Sequence, residues 1–131
     1  MLATPFYAAV LGILFLVLSY RVVRARVRLG VPVGDADDLA LRKAIRAHAN
    51  FAEYVPFTLL LIFFLENAGA PAPYVHILLV LLVIARIVHA YGISRVDEDI
   101  RFRVAGIVVT FIVMGLAALS LAALQASRLF A

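Results

Sequence analysis

The stretch VAGIVVTFIVMGLAALSLAALQAS, from Val104 to Ser127, contains no charged residue and few polar ones. A helix needs about 20 mostly apolar residues to cross the hydrocarbon of a bilayer, and this segment supplies them. Toward the N-terminus, Asn67 to Ala85 is again uncharged and is closed by Arg86. Pro71 and Pro73 stand near its start, where a helix tolerates proline. Leu2 to Tyr20 is uncharged until Arg21, and no basic residue precedes it, so it reads as a span and not as a signal peptide. The second span is different. Its uncharged part, Tyr54 to Leu65, is too short to cross alone. A span from about Leu39 to Leu65 must carry Arg42, Lys43, Arg46, His48, Asn50 and Glu53, with Pro56 inside it. Either this helix extends well out of the bilayer or its polar face is buried in protein.

Composition agrees. Of 131 residues, 66% are hydrophobic and 15% charged, and mean hydropathy is +1.07. Soluble domains are about 45–50% apolar and about 25% charged, so a water-soluble fold is excluded. The expectation is a single domain over residues 1–131, an all-α integral membrane bundle of four transmembrane helices. With no Cys there is no disulfide framework, thiolate metal site or thiol nucleophile in the chain. Three scattered His make no metal-ligand pattern. The net charge of +4 fits cytoplasmic loops better than nucleic acid.

The basic residues also orient the chain. Arg21, Arg24, Arg26, Arg28, Arg42, Lys43 and Arg46 lie between the apolar cores of spans one and two. Arg86, Arg95, Arg101 and Arg103 lie around the connection between spans three and four. The connection between spans two and three, around Asn67-Ala68-Gly69-Ala70-Pro71, has no Lys or Arg. Of the 12 basic residues, only Arg128 falls on the other side. The positive-inside rule then places both termini away from the cytoplasm.

Charged groups in membrane helices cost at least about 2.5–3.5 kcal/mol at the bilayer centre and are functional candidates by default. Arg42, Arg46, Asn50 and Glu53 recur at helical spacing and share one face of the second helix. Such a stripe should face other helices or a polar cavity. His48 points away from it. Arg46 and Glu53 are two turns apart, a gap that suits a zwitterionic ligand or a partner from another helix. The same stripe equally suits an internal salt-bridge network. Arg86 and His89 share a face of the third helix, and His76 at its other end reads as an interfacial residue. Arg101 and Arg103 open the fourth helix; Asp97-Glu98-Asp99 before them can pair with them or favour the helix N-terminus. Gly106 permits close helix approach. Arg21, Arg24, Arg26 and Arg28 are expected to be mainly anchors, with one of them a candidate to reach the stripe. Together these residues describe a basic, cytoplasm-facing pocket. It suits a small ligand with two carboxylates and an ammonium, since Arg grips carboxylate as a fork and Glu receives ammonium.

The segment Arg46-Ala47-His48-Ala49-Asn50-Phe51-Ala52-Glu53-Tyr54-Val55-Pro56 resembles the second-helix signature of the membrane-associated proteins in eicosanoid and glutathione metabolism, the MAPEG family. Arg86-Ile87-Val88-His89 resembles the third-helix signature, and Arg103 to Gly106 the Arg-x-x-Gly that opens the last helix in small prokaryotic members. The resemblance implies a homotrimer in a bacterial inner membrane, with glutathione as co-substrate between subunits. It assigns Arg46, Asn50, Glu53, Tyr54, Arg86 and His89 to the glutathione site, with Arg24 or Arg28 from the first helix. Arg103, or Arg101 if the loop length shifts the match, would stand by the thiol as the catalytic residue. The implied activity is a transferase or peroxidase acting on lipophilic electrophiles. Two positions depart from branches of the family: Ile93 stands where some members have Tyr, and Ala49 where another branch has a second Arg. Both argue against prostaglandin or leukotriene synthesis.

Two other functions compete. The family includes a member that binds lipid without catalysis, so a non-catalytic lipid- or glutathione-binding role is the first alternative. A small proton-coupled exporter is the second. It needs an acidic residue within a span, and Glu53 is the one good candidate.

Overall fold

The computed structural model describes residues 2–95 and 99–130. Within them the chain forms α1 (Thr4–Leu29), α2 (Leu39–Asn67), α3 (Ala72–Ser94) and α4 (Ile100–Leu129). All four are long and apolar enough to cross a membrane.

The helices outrun their apolar cores where the sequence allows it. Arginine is a good helix former, so α1 continues through Arg21, Arg24, Arg26 and Arg28. It stops where Gly30 takes the left-handed conformation, φ 66°. At about 1.5 Å per residue, its 26 residues exceed the hydrocarbon thickness of about 30 Å. The arginine-bearing end therefore projects beyond the apolar zone. Asp38 caps α2 by accepting the Leu41 N–H at 2.7 Å. The helix of 29 residues carries Pro56 inside it and so has the extra length that its polar half required. Pro71 precedes α3, and Asp99 caps α4 by accepting the Arg101 N–H at 3.0 Å. Of the acidic triplet, Asp99 thus serves the helix N-terminus; Asp97 and Glu98 lie outside the described residues. Helix α3 continues through Gly92 to Ser94.

Helices α2 and α3 form the middle of the bundle. Half of the apolar stretch of α3 is buried, against 11% of that of α1. Leu78, Leu79 and Leu82 of α3 pack with Phe51, Val55 and Ile62 of α2 and with Val113 of α4. Among the described residues, α1 and α4 do not pack on each other. The closest approach is between α3 and α4. A Cβ at Gly106 would lie 2.6 Å from the Ala85 carbonyl oxygen and 2.7 Å from the His89 Cβ. Only glycine allows this crossing. Large apolar side chains such as Phe6, Leu16, Phe57, Ile84 and Leu119 point outward, as expected of a surface solvated by lipid.

At the end of the bundle opposite the arginines, Glu66 of α2 accepts backbone N–H groups of Ala3 and Thr4, closing α1 onto the bundle. His76 is exposed and its Nδ1 meets the Tyr7 hydroxyl at 3.1 Å. Arg128 donates to the Ala68 carbonyl at 2.6 Å.

Candidate functional site

Arg86 is the largest wholly buried side chain in the chain's interior. A guanidinium in that position requires acceptors, because burying an unpaired charge is costly. Its Nη2 donates to Asn50 Oδ1 at 2.9 Å, and its carbon lies 5.5 Å from the Phe51 ring centre. Its Nε and Nη1 have no hydrogen-bond partner among the described residues. The third-helix arginine therefore stands behind Asn50 of the second-helix stripe and holds it in place.

His89, one turn further along α3, is also buried, at 3% exposure. Its Nδ1 lies 3.1 Å from the Arg103 carbonyl oxygen. A carbonyl only accepts, so Nδ1 carries the proton. The histidine thus fastens the first turn of α4 through the backbone of Arg103, beside the Gly106 crossing. Arg86 and His89 are both buried; His89 supports the backbone of Arg103, and Arg86 supports Asn50.

The open part of the site is a crevice of about 190 Å³ lined by Leu39, Arg42, Lys43 and Arg46 of α2, Ile93 of α3 and Arg103 of α4. Arg46 and Arg103, far apart in sequence, line the same cavity. Arg101 does not line it; its backbone closes on Asp99. Arg42 is partly neutralised, at 2.6 Å from Asp35 and 3.2 Å from Asp37. Its hydrogen bond holds the Asp35 carboxyl below the ordinary carboxylate range. Lys43 donates to the Arg95 carbonyl at 2.9 Å. Arg46 and Arg103 are both exposed residues.

The rest of the expected stripe divides. Tyr54 packs edge-on against Phe111 of α4, ring centres 5.0 Å apart. Glu53 is exposed and does not line the Arg46–Arg103 crevice. His48 stacks on Phe15 of α1 at 4.7 Å, off the stripe. Arg24 and Arg28 line a different crevice, of about 240 Å³, with Arg21, Ala40 and Ala44. Ala40 and Ala44 are each two residues from Arg42 or Arg46 and so face the other side of α2. The first-helix arginines therefore do not reach the Arg46–Arg103 crevice within one chain.

Two contributors escaped the sequence. Lys43 and Ile93 both line the crevice. Ile93 was marked only as a family departure, though its place one turn after His89 puts it on the right face. Ser94 was also missed; it accepts from Arg21 and ties α1 to α3.

Residues 4–123 match the MAPEG family model. The chain is 36% identical over 91 residues to the inner membrane protein YecN of Escherichia coli K12, covering 70% of each chain. The same protein of Escherichia coli O6:H1 matches to the same extent.

Proposed function

The chain belongs to the MAPEG family, and from that premise we propose that it is an inner-membrane glutathione-dependent transferase or peroxidase for lipophilic electrophiles. The observation that carries this reading is the shared crevice of Arg46 and Arg103. Two exposed arginines from different helices suit a ligand with two carboxylates and a thiol. Asn50, held by Arg86, lies one turn from Arg46 on the same face of α2.

In this reading Arg46 and Asn50 bind the peptide part of glutathione, and Arg103 faces sulfur. Glu53 and Tyr54, outside the crevice of one chain, belong to an interface in a homotrimer, where a neighbour's Arg24 or Arg28 completes the site. The arginine-rich end faces the cytoplasm and both termini face away from it.

Chemistry follows from the charge. A glutathione thiol, like free Cys, has a pKa of about 8.5, so roughly 3% is thiolate at pH 7. An adjacent guanidinium that lowers it by about two units raises that fraction roughly 25-fold. Lower basicity takes back part of the gain as lost nucleophilicity. Most of the acceleration comes from holding a bilayer-dissolved electrophile beside the sulfur. In a transfer, sulfur bonds to the electrophilic carbon and the leaving group departs with its electron pair.

The test is conjugation of an aryl halide with glutathione by the purified protein, with glutathione binding followed by calorimetry. Turnover that falls at least tenfold in Arg103→Ala, with weaker binding in Arg46→Ala, supports the proposal. Binding without turnover selects the non-catalytic alternative, and no binding rejects both.

A further inference from the structure

Arg103 lies in the first turn of α4, which begins at Ile100. Helix ends fray, so an arginine placed there keeps a fixed direction only if its main chain is held. Here it is held on both sides. After the residue, the Arg103 carbonyl oxygen accepts from His89 Nδ1 at 3.1 Å. Before it, the Phe102–Arg103 peptide group packs on Gly92. A Cβ at Gly92 would lie 2.8 Å from the Arg103 nitrogen and 2.9 Å from the Phe102 Cβ. Real Cβ atoms essentially never come this close, and a backbone nitrogen cannot swing aside as a side chain does. Gly106, one turn after Arg103, makes the next contact, on Ala85 and His89.

Ala85, His89 and Gly92 recur at helical spacing and share one face of α3. Along that face the α4 partner moves back from Gly106 to Arg103, so the two helices meet antiparallel in a fixed register. Ile93, next to Gly92, borders the same crevice as Arg103, so the clamp adjoins the site. It grips the main chain of Arg103 and leaves the side chain to the crevice. His89 is buried, and its Nδ1 is committed to a backbone carbonyl. We infer that His89 and Gly92 are positioning residues of the reaction, fixing the main chain of Arg103 so that its guanidinium meets the glutathione sulfur. The inference rests on the proposed glutathione chemistry. It deepens that reading by giving both residues a role through Arg103 and not through contact with the ligand.

The experiment compares the full-length parent protein in detergent with Gly92→Ala, His89→Asn, His89→Gln and His89→Leu. Asn sets an amide nitrogen where imidazole Nδ1 stands, Gln sets one where Nε2 stands, and Leu supplies no donor. Each protein is followed by thermal unfolding, by calorimetry with glutathione, by the thiolate absorbance of the saturated protein at neutral pH, and by kcat and KM with an aryl halide. His89→Asn should keep the thiolate band and a kcat within about twofold of the parent, because it keeps the donor to Arg103. Gly92→Ala, His89→Gln and His89→Leu should lose the band and at least about tenfold in kcat, since a misplacement of about 1 Å can cost about 100-fold. Their affinity for glutathione should change far less. A kcat that simply follows melting temperature through all four variants, His89→Asn included, would overturn the inference. Rescue by Gln and not by Asn would also overturn it, by making His89 a ligand of glutathione through Nε2. So would an undiminished thiolate band in His89→Leu. If Gly92→Ala does not fold, the His89 variants decide. A parent protein without glutathione binding or a thiolate band rejects the proposed chemistry, and this inference with it; a parent that has both, with unchanged variants, rejects the inference alone.

Discussion

Arg86 of α3 donates to Asn50 of α2 across 2.9 Å in the interior of the bundle. The bond joins the two signature helices and fixes the amide of Asn50 one turn from Arg46. Removing one partner should therefore cost more than replacing the charge. Asn50→Leu strands a buried guanidinium and should lower stability by about 2–3 kcal/mol. Arg86→Met removes the charge with little change of volume and should cost less. Thermal unfolding in detergent measures both; the opposite order would show that Asn50 is not the partner on which Arg86 depends.

Gly106 sets the distance between α3 and α4. Gly106→Ala drives its Cβ into the Ala85 carbonyl and the His89 backbone and should cost about 1–3 kcal/mol, as overpacking does. It should also displace Arg103, one turn earlier, and reduce activity. Gly115→Ala, where a Cβ meets nothing within 4 Å, is the matched control and should unfold like the parent protein. Equal melting temperatures for the two variants would contradict the close crossing.

Membership of the bundle was legible in the sequence because charge-free runs of membrane length admit few folds. Helix ends were less so. Apolar runs mark the hydrocarbon zone, whereas α1 ends where Gly30 stops it, well past Arg21. The Arg42–Arg46–Asn50–Glu53 stripe shows a different limit. Helical period places four residues on one face, but their surroundings depend on which neighbour meets each turn. Arg42 meets a loop, Arg46 a crevice, Asn50 a buried arginine and Glu53 the outside of the chain. Similarly, spacing alone could not say which of Arg101 and Arg103 borders the crevice with Arg46; Arg103 lines it and Arg101 does not.

Glu66 holds the start of α1 by accepting two backbone N–H groups. Glu66→Ala should behave as the loss of a helix cap, about 1–2 kcal/mol, and it should act locally. Hydrogen exchange over the first two turns of α1 should accelerate while α3 keeps its protection. Unchanged exchange there would show that the carboxylate does not restrain the helix.

The loop between α1 and α2 should loosen in acid. Arg42 holds the Asp35 carboxyl below its unfolded value, so this contact contributes fully above the ordinary carboxylate range. It is lost as pH falls through the lowered pKa. Proteolysis of residues 30–38 should therefore rise only below about pH 4. Asp35→Asn should show the acid behaviour already at neutral pH. A loop equally resistant in Asp35→Asn at neutral pH would mean that the bridge does not order it.

The most direct test of the proposed chemistry is the ultraviolet absorbance of bound glutathione at neutral pH, parent protein against Arg103→Ala, each at a glutathione concentration that saturates it. Arg103 beside sulfur predicts a thiolate band in the parent protein that disappears in the variant while calorimetry still detects binding. A band that persists undiminished in Arg103→Ala, or that is absent from the saturated parent protein, would contradict the assignment of Arg103 to the thiol.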